Sequence, residues 1–270
     1  MSDALQILSL GAGVQSSTLA LMAEHGEFDV KPDAAIFADT QDESAQVYEW
    51  LGWLEKQLSF PVYRVTKGKL SDEAKTLRTS KKTGQHYLRP CLPVFFRDGD
   101  GISGRHCTMD YKIAPIRKKL NELRQGRNVI QWIGISLDET QRIKPSRDRW
   151  CKNVWPLVDR RMRRGDCFEW MKKHGYPTPP RSSCVYCPFH TDNEWRRLKE
   201  EEPMEFFKAV EFEKELQRSY EHVERIDGVP YLHRSGVPLS DVDLRNDMER
   251  GQLGLWENPW GEECEGMCGV

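Results

Sequence analysis

Leu5 to Leu10 is a short apolar run, the signature of a strand buried in a sheet. A glycine-bearing turn, GAGVQSS, follows it, and Ser17 to Glu24 continues with helix-compatible apolar spacing. Ala34 to Ala38 forms a second apolar run, ending in Asp39 and Thr40. Glu43 to Leu58 carries a helical period through Val47, Leu51, Leu54 and Leu58, and Pro61 to Val65 has strand character. Strand, helix, strand, helix, strand is the pattern of a parallel sheet joined by right-handed crossovers. The expected fold class is therefore α/β: a parallel twisted sheet with helices on both faces, followed by a helical C-terminal extension.

Further along, the periodicity becomes less regular. Lys67 to Arg105 is polar, with an apolar island at Leu92 to Phe96, and predicts an irregular excursion that covers a ligand site. Asp110 to Arg124 predicts a helix, Val129 to Ile135 a fourth strand and Val154 to Val158 a fifth. Asp166 to His174 predicts a short helix stopped by Gly175 and Pro177. Glu194 to Glu224 is helical with a break near Pro203, and a last helical piece is expected near Val242 to Arg250. The expected division is 1–190 for the nucleotide-binding α/β domain and 191–270 for the helical extension with its cysteine-bearing tail.

Charge and composition narrow the function classes. A net charge of −2 excludes a globally basic nucleic-acid binder, although Lys and Arg cluster locally at Lys112 to Arg127 and Arg160 to Arg164. These clusters are either solvated faces or anion sites. No run reaches the roughly 18 apolar residues a membrane helix needs, and the first residues lack an export signal, so a cytoplasmic protein without membrane partners is expected. Eight cysteines in such a chain point to metal, iron–sulfur or thiol chemistry more than to disulfides.

The turn after the first strand is the main chemical signal. Gly11 and Gly13 permit a tight turn that brings backbone N–H groups to phosphate oxygens at a helix N-terminus, and the Ser9, Ser16 and Ser17 hydroxyls can donate to the same anion. No Gly-Lys-Ser/Thr occurs here, which removes the Walker pattern, and Ser16 stands where the dinucleotide fingerprint requires its third glycine. GAGVQSS resembles the PP-loop of the adenine nucleotide α-hydrolase superfamily, with Gln15 where most members carry aspartate. IFADTQDE (36–43) resembles that family's second strand and its Asp-Thr-Gly segment, with Gln41 replacing glycine. RHCTMDYKIAPIRKKL (105–120), WIGISLDETQR (132–142) and PRSSCVYCPF (180–189) resemble later family segments in the family's order. The chain is most similar to phosphoadenosine phosphosulfate (PAPS) reductase-like proteins of phage and prophage type.

This resemblance implies an adenine nucleotide ligand (PAPS, APS or ATP) held by Ser9, Gly11, Gly13, Gln15, Ser16 and Ser17, with Asp39 and Thr40 at the end of the second strand. Asp39 reads equally as a cap for the helix after it. Arg105, Lys112, Arg117 and Arg142 are the implied cationic partners of sulfonate and phosphate. Gln15 implies a sulfonucleotide over ATP. Cys184 and Cys187 form a C-x2-C that can grip a metal from one loop. With Cys107 and Cys91 they imply a [4Fe–4S] cluster ahead of zinc. His106 stands where relatives have a second cysteine, which leaves Cys151, Cys167, His106, His190 or a tail cysteine as substitutes for Cys91. Cys151 and Cys167 read best as buried, inert thiols. The ending ECEGMCGV is similar to the reductases' C-terminal Glu-Cys-Gly segment, which implies Cys264 and Cys268 as nucleophile and resolving thiol, with a thioredoxin-like reductant. The rival readings are ATP-dependent sulfur transfer to tRNA or DNA, and a nucleotide-binding module without catalysis.

Overall fold

The computed structural model describes residues 4–97, 101–223, 228–245 and 249. They divide into two compact units. One takes residues 4–67 and 109–183; the other takes the described residues of 68–108 and 184–249.

The first unit is built on β1 (Leu5–Leu10), α1 (Val14–Glu24), β2 (Ala34–Asp39), α2 (Ala45–Glu55) and β3 (Val62–Thr66). In the second unit, α3 (Leu70–Lys75) falls within the excursion, which also pairs Arg78–Thr79 with His86–Tyr87. The chain then returns to the first unit with α4 (Ala114–Arg124), β4 (Val129–Ile133), β5 (Cys151–Val154), α5 (Pro156–Asp159) and α6 (Arg164–Lys173). Five strands pair in the order β3-β2-β1-β4-β5, and every pairing is parallel. The α/β class read from the sequence is what the chain adopts.

Alternate residues of the strands feed two cores, as the two-residue period of a strand requires. Leu8, Leu10, Ala35, Phe37 and Trp132 pack with α1, α2 and α6 on one face. Leu5, Ile7, Ala34, Ile36 and Val129 meet Ile116, Leu120 and Leu123 of α4 on the other. Both faces are covered at the centre of the sheet, so β2 reads as a continuous apolar run instead of an alternating one.

The structure corrects three expectations. The fifth strand lies at Cys151–Val154 and not at 154–158, because Pro156 fixes φ and opens α5 at its first turn. Helix α1 begins at Val14, inside the glycine turn and three residues before Ser17. Residues 242–245 are not helical; a single 3₁₀ turn at Leu239–Asp241 precedes them, and 246–248 and 250 lie outside the described residues. The break near Pro203 is real: α7 (Asp192–Glu201) stops and α8 (Pro203–Tyr220) restarts with proline in its first turn.

The second unit gathers α3, α7 and α8. Lys75 of α3 pairs with Glu215 of α8 at 2.5 Å, and the excursion's Phe95–Phe96 pairs antiparallel with Pro230–Tyr231. Buried Glu213 of α8 accepts the Leu232 and Leu239 N–H groups at 2.7 and 2.8 Å. Its carboxylate thereby ties the following loop to the helix, and burial raises its pKa.

Candidate functional site

Strand β1 stands in the middle of the sheet, with β2 on one side and β4 on the other. The chain moves outward from β1 to β2 and β3, then returns to β4, so the order reverses between β1 and β4. Ligands of open parallel sheets bind in the crevice outside the carboxyl ends of the strands at such a reversal. Two segments leave the sheet there: Gly11–Gly13 after β1 and residues 134–142 after β4.

The first segment is folded around one hydroxyl. Ser16 Oγ accepts the Gly11 N–H at 3.1 Å and donates to the Gly13 carbonyl at 3.3 Å. The Ser182 hydroxyl donates to the Gly11 carbonyl, and Ala12 sits at φ 57, a left-handed value that suits a tight turn. Helix α1 starts behind Gly13 without a side-chain cap and without an acidic residue in its first turn. No acidic residue of its own first turn offsets its N-terminal dipole.

The second segment presses on the first. A Cβ at Gly134 would lie 2.8 Å from Ser16 Cα and 2.9 Å from Ser16 N, so only glycine lets the exit of β4 pass this close to α1. Residues 137–142 then form a 3₁₀ turn that buries the Glu139 carboxylate and leaves Asp138 exposed. Glu139 Oε2 accepts from Gln15 Nε2 at 2.7 Å, and its Oε1 accepts from Arg142 Nη1 at 2.5 Å. Gln15 Nε2 also approaches Ser136 Oγ at 3.3 Å, while Gln15 Oε1 accepts from Arg164 Nη1 at 3.3 Å. The amide of Gln15 is thus satisfied at both ends by protein groups, as a buried polar side chain requires. Asp138 accepts the Arg164 N–H and the Ser136 hydroxyl, which places a carboxylate on the N-terminus of α6. Glu139, Asp138, Ser136, Gly134, Arg164 and Ser182 carry this arrangement; the sequence reading had marked Arg164 only as part of a basic cluster, either a solvated face or an anion site, and named none of the others as site residues. The spacing of two acids and a basic residue in LDETQR, next to a glycine strand exit, was the available signal.

The other expected ligand residues are distributed as follows. Ser17 is fully buried and accepts the Trp50 indole N–H at 3.0 Å, so its oxygen faces the core. Ser9 accepts from Gln131 Nε2 at 2.6 Å within the sheet. Asp39 accepts the Gln41 N–H at 2.7 Å and the Tyr48 hydroxyl at 2.8 Å. Burial, and next the bond to Asp39, drive the Tyr48 pKa far up, so Tyr48 stays a donor. Asp39 caps no helix: α2 begins at Ala45 behind Ser44. Gln41, at the position where the resemblance expects glycine, sits at φ 62. Thr40 is buried beside it. Lys112 pairs with buried Glu43 at 3.5 Å, and Arg117 forms an ion pair with Asp148 on the surface. Arg105 belongs to the second unit, where it donates to Thr108 Oγ1 at 2.5 Å and lies over the Phe189 ring.

Cys91, Cys107, Cys184 and Cys187 all fall in the second unit. Cys91, Cys184 and Cys187 are buried and Cys107 is half-buried. Burial pushes the Cys91 thiol up to about 11. Among the described residues no group of three or more His, Cys, Asp or Glu side chains is arranged to hold a metal ion. The described cysteines thus assemble no ligand set for a cluster or for zinc. Cys151 and Cys167 are buried thiols of the first unit, both raised by burial, Cys167 to about 12, in keeping with an inert role. Cys264 and Cys268 lie outside the described residues.

No helix among the described residues is long and apolar enough to cross a membrane. No protein-family model matches the chain, and no curated protein matches it. Among solved structures the fold is similar to that of phosphoadenylyl-sulfate (PAPS) reductase from Candida auris in its phosphate complex. The TM-score is 0.41 and the identity 14%, over 66% of this chain and 76% of that chain. At that distance the likeness carries nothing about chemistry, which rests on this chain's own residues.

Proposed function

We propose that the chain binds an adenine nucleotide at the turn between β1 and α1 and acts on a sulfonucleotide. The observation that carries this reading is the position of GAGVQSS at the carboxyl end of the central strand, where the strand order reverses. The uncapped start of α1 supports an anionic group there. The order of the five motif segments supports the sulfonucleotide. In this reading a tail thiolate, Cys264 or Cys268, attacks the sulfonate sulfur and expels the nucleotide phosphate, leaving a cysteine thiosulfonate. The second tail thiolate attacks the first cysteine's sulfur and releases sulfite, and the resulting disulfide takes two electrons from a thioredoxin-like dithiol.

Calorimetry with PAPS, APS and ATP tests the binding step. Sulfite release from labelled PAPS with thioredoxin, lost in Cys264→Ser or Cys268→Ser, tests the reaction. Absence of binding to all three nucleotides refutes the site. Pyrophosphate release from ATP that depends on added tRNA or DNA, with no sulfite formed, refutes the sulfonucleotide reaction while leaving the site standing.

A further inference from the structure

Helix α4 has two unlike sides. Ile116, Leu120 and Leu123 pack onto the sheet, and Arg117, Lys118 and Arg124 lie off that apolar stripe. Residues 117–127 contain five basic side chains and one acid, Glu122. Residues 143–152, which lead into β5, contain four basic side chains and one acid, Asp148. The fold joins the two stretches into one surface. Arg117 Nε donates to Asp148 Oδ2 at 2.6 Å, the Arg124 guanidinium lies 4.7 Å from the Trp150 ring, and Lys152 on β5 stands opposite Ile130 on β4. Lys118, Arg127, Lys144, Arg147, Arg149 and Lys152 are exposed along it. Together the stretches carry a net charge of +7 in a chain whose total is −2. Such segregation concentrates a positive field on one face of the first unit.

From this surface we infer that the α4–β5 face binds the phosphodiester backbone of a nucleic acid. Three features select that partner. First, the two stretches carry five arginines beside four lysines, and the planar fork of arginine matches phosphate bidentately. Second, α4 spans about 16 Å at ~1.5 Å per residue, long enough to follow several phosphates of a backbone. Third, the face offers nothing to a lipid surface: none of the exposed large apolar residues among those described falls within 114–152, and the apolar side of α4 is spent on the core. A membrane-surface helix would need that side for the acyl boundary. The inference does not depend on which nucleotide reaction the chain performs.

The test uses the full chain and fluorescence anisotropy with a labelled RNA duplex and a DNA duplex of the same sequence, each two helical turns long. For about four neutralised phosphates the salt slope is about −3.6, so affinity falls on the order of 100-fold between ~50 and ~200 mM salt. Reversing Lys118, Arg147 and Lys152 to glutamate weakens binding at least about tenfold at the low-salt end. Reversing Lys172, Lys173 and Lys208, all exposed and elsewhere, leaves it within about twofold. The two duplexes distinguish RNA from DNA. The inference is overturned by absence of binding to both, by equal loss in the two triple variants, or by binding confined to phosphatidylserine vesicles. Nucleotide affinity of the Lys118, Arg147 and Lys152 variant is measured in parallel and stays at the wild-type value, so failure of this inference is separable from failure of the nucleotide site.

Discussion

Gly134→Ala adds one methyl group at the exit of β4, and the surroundings of that methyl are backbone. The new Cβ would meet Ser16 Cα at 2.8 Å, Ser16 N at 2.9 Å and the Gln15 carbonyl carbon at 3.2 Å. Carbon contacts settle at about 3.5–4.0 Å, so roughly 1 Å of room is missing. No side-chain rotamer can supply it, and either β4 or the first turn of α1 must move. Overpacking of this kind costs about 1–3 kcal/mol, or roughly 2–4 °C of melting temperature for each of those kcal/mol in a chain of this size. A displaced first turn also misaims the N–H groups proposed to hold the anion. Losing one charge-assisted hydrogen bond, about 1.5–3 kcal/mol, weakens Kd roughly ten- to a hundredfold. Thermal melts and nucleotide calorimetry on the same preparation read both effects. Gly52→Ala is the control, because Gly52 lies within α2 and a Cβ there has nothing within 4 Å. It is expected to stabilise by about 0.5–1 kcal/mol through helix propensity and to leave Kd unchanged. A Gly134→Ala protein with the wild-type melting temperature and Kd would refute the close approach and the role given to the first turn.

Gln41→Gly is expected to raise the urea midpoint. A left-handed φ costs a non-glycine residue about 1–2 kcal/mol, against about 0.5–1 kcal/mol of extra chain entropy for glycine; a lower midpoint contradicts the strain at φ 62. In the second unit, His233 is buried and its pKa is lowered by desolvation, with Asp192 at 3.1 Å pulling the other way. A depressed imidazole contributes stability above its ordinary value of about 6.5, lost as pH falls through the lower folded value. Melting temperatures are therefore expected to drop on acidification through that window, and His233→Gln is expected to flatten the profile. Identical profiles for the two proteins would dismiss the linkage.

The middle of the sheet was legible because β2 is buried on both faces and reads as a nearly uninterrupted apolar run, with β1 close to it. The fifth strand was misplaced because Cys151–Val154 mixes polar and apolar residues at the sheet edge, while the apolar residues after it belong to a helix opened by Pro156. The glycine turn was legible, since glycine spacing between a strand and a helix has few uses. Its supporting groups were not. Glu139 and Arg164 lie 124 and 149 residues from Gln15, and no local pattern reports a hydrogen bond of that range. The resemblance gave Gln15 a role in choosing the nucleotide; the fold gives its amide to Glu139, Ser136 and Arg164. Ser17 was read as a phosphate donor from its place beside Ser16, but the helical turn rotates it into the core against Trp50.

The Ser16 hydroxyl is occupied at both its donor and its acceptor side by the turn itself. Whatever anion rests there is met by main chain, and main-chain amides are the same in every residue type. Tolerance to sequence drift follows. Side chains in this segment can bond elsewhere, as Gln15 does with Glu139 and Arg164, while the cradle persists so long as the turn closes and Gly134 stays small. A motif search that scores side chains will lose such a site sooner than the site loses its shape.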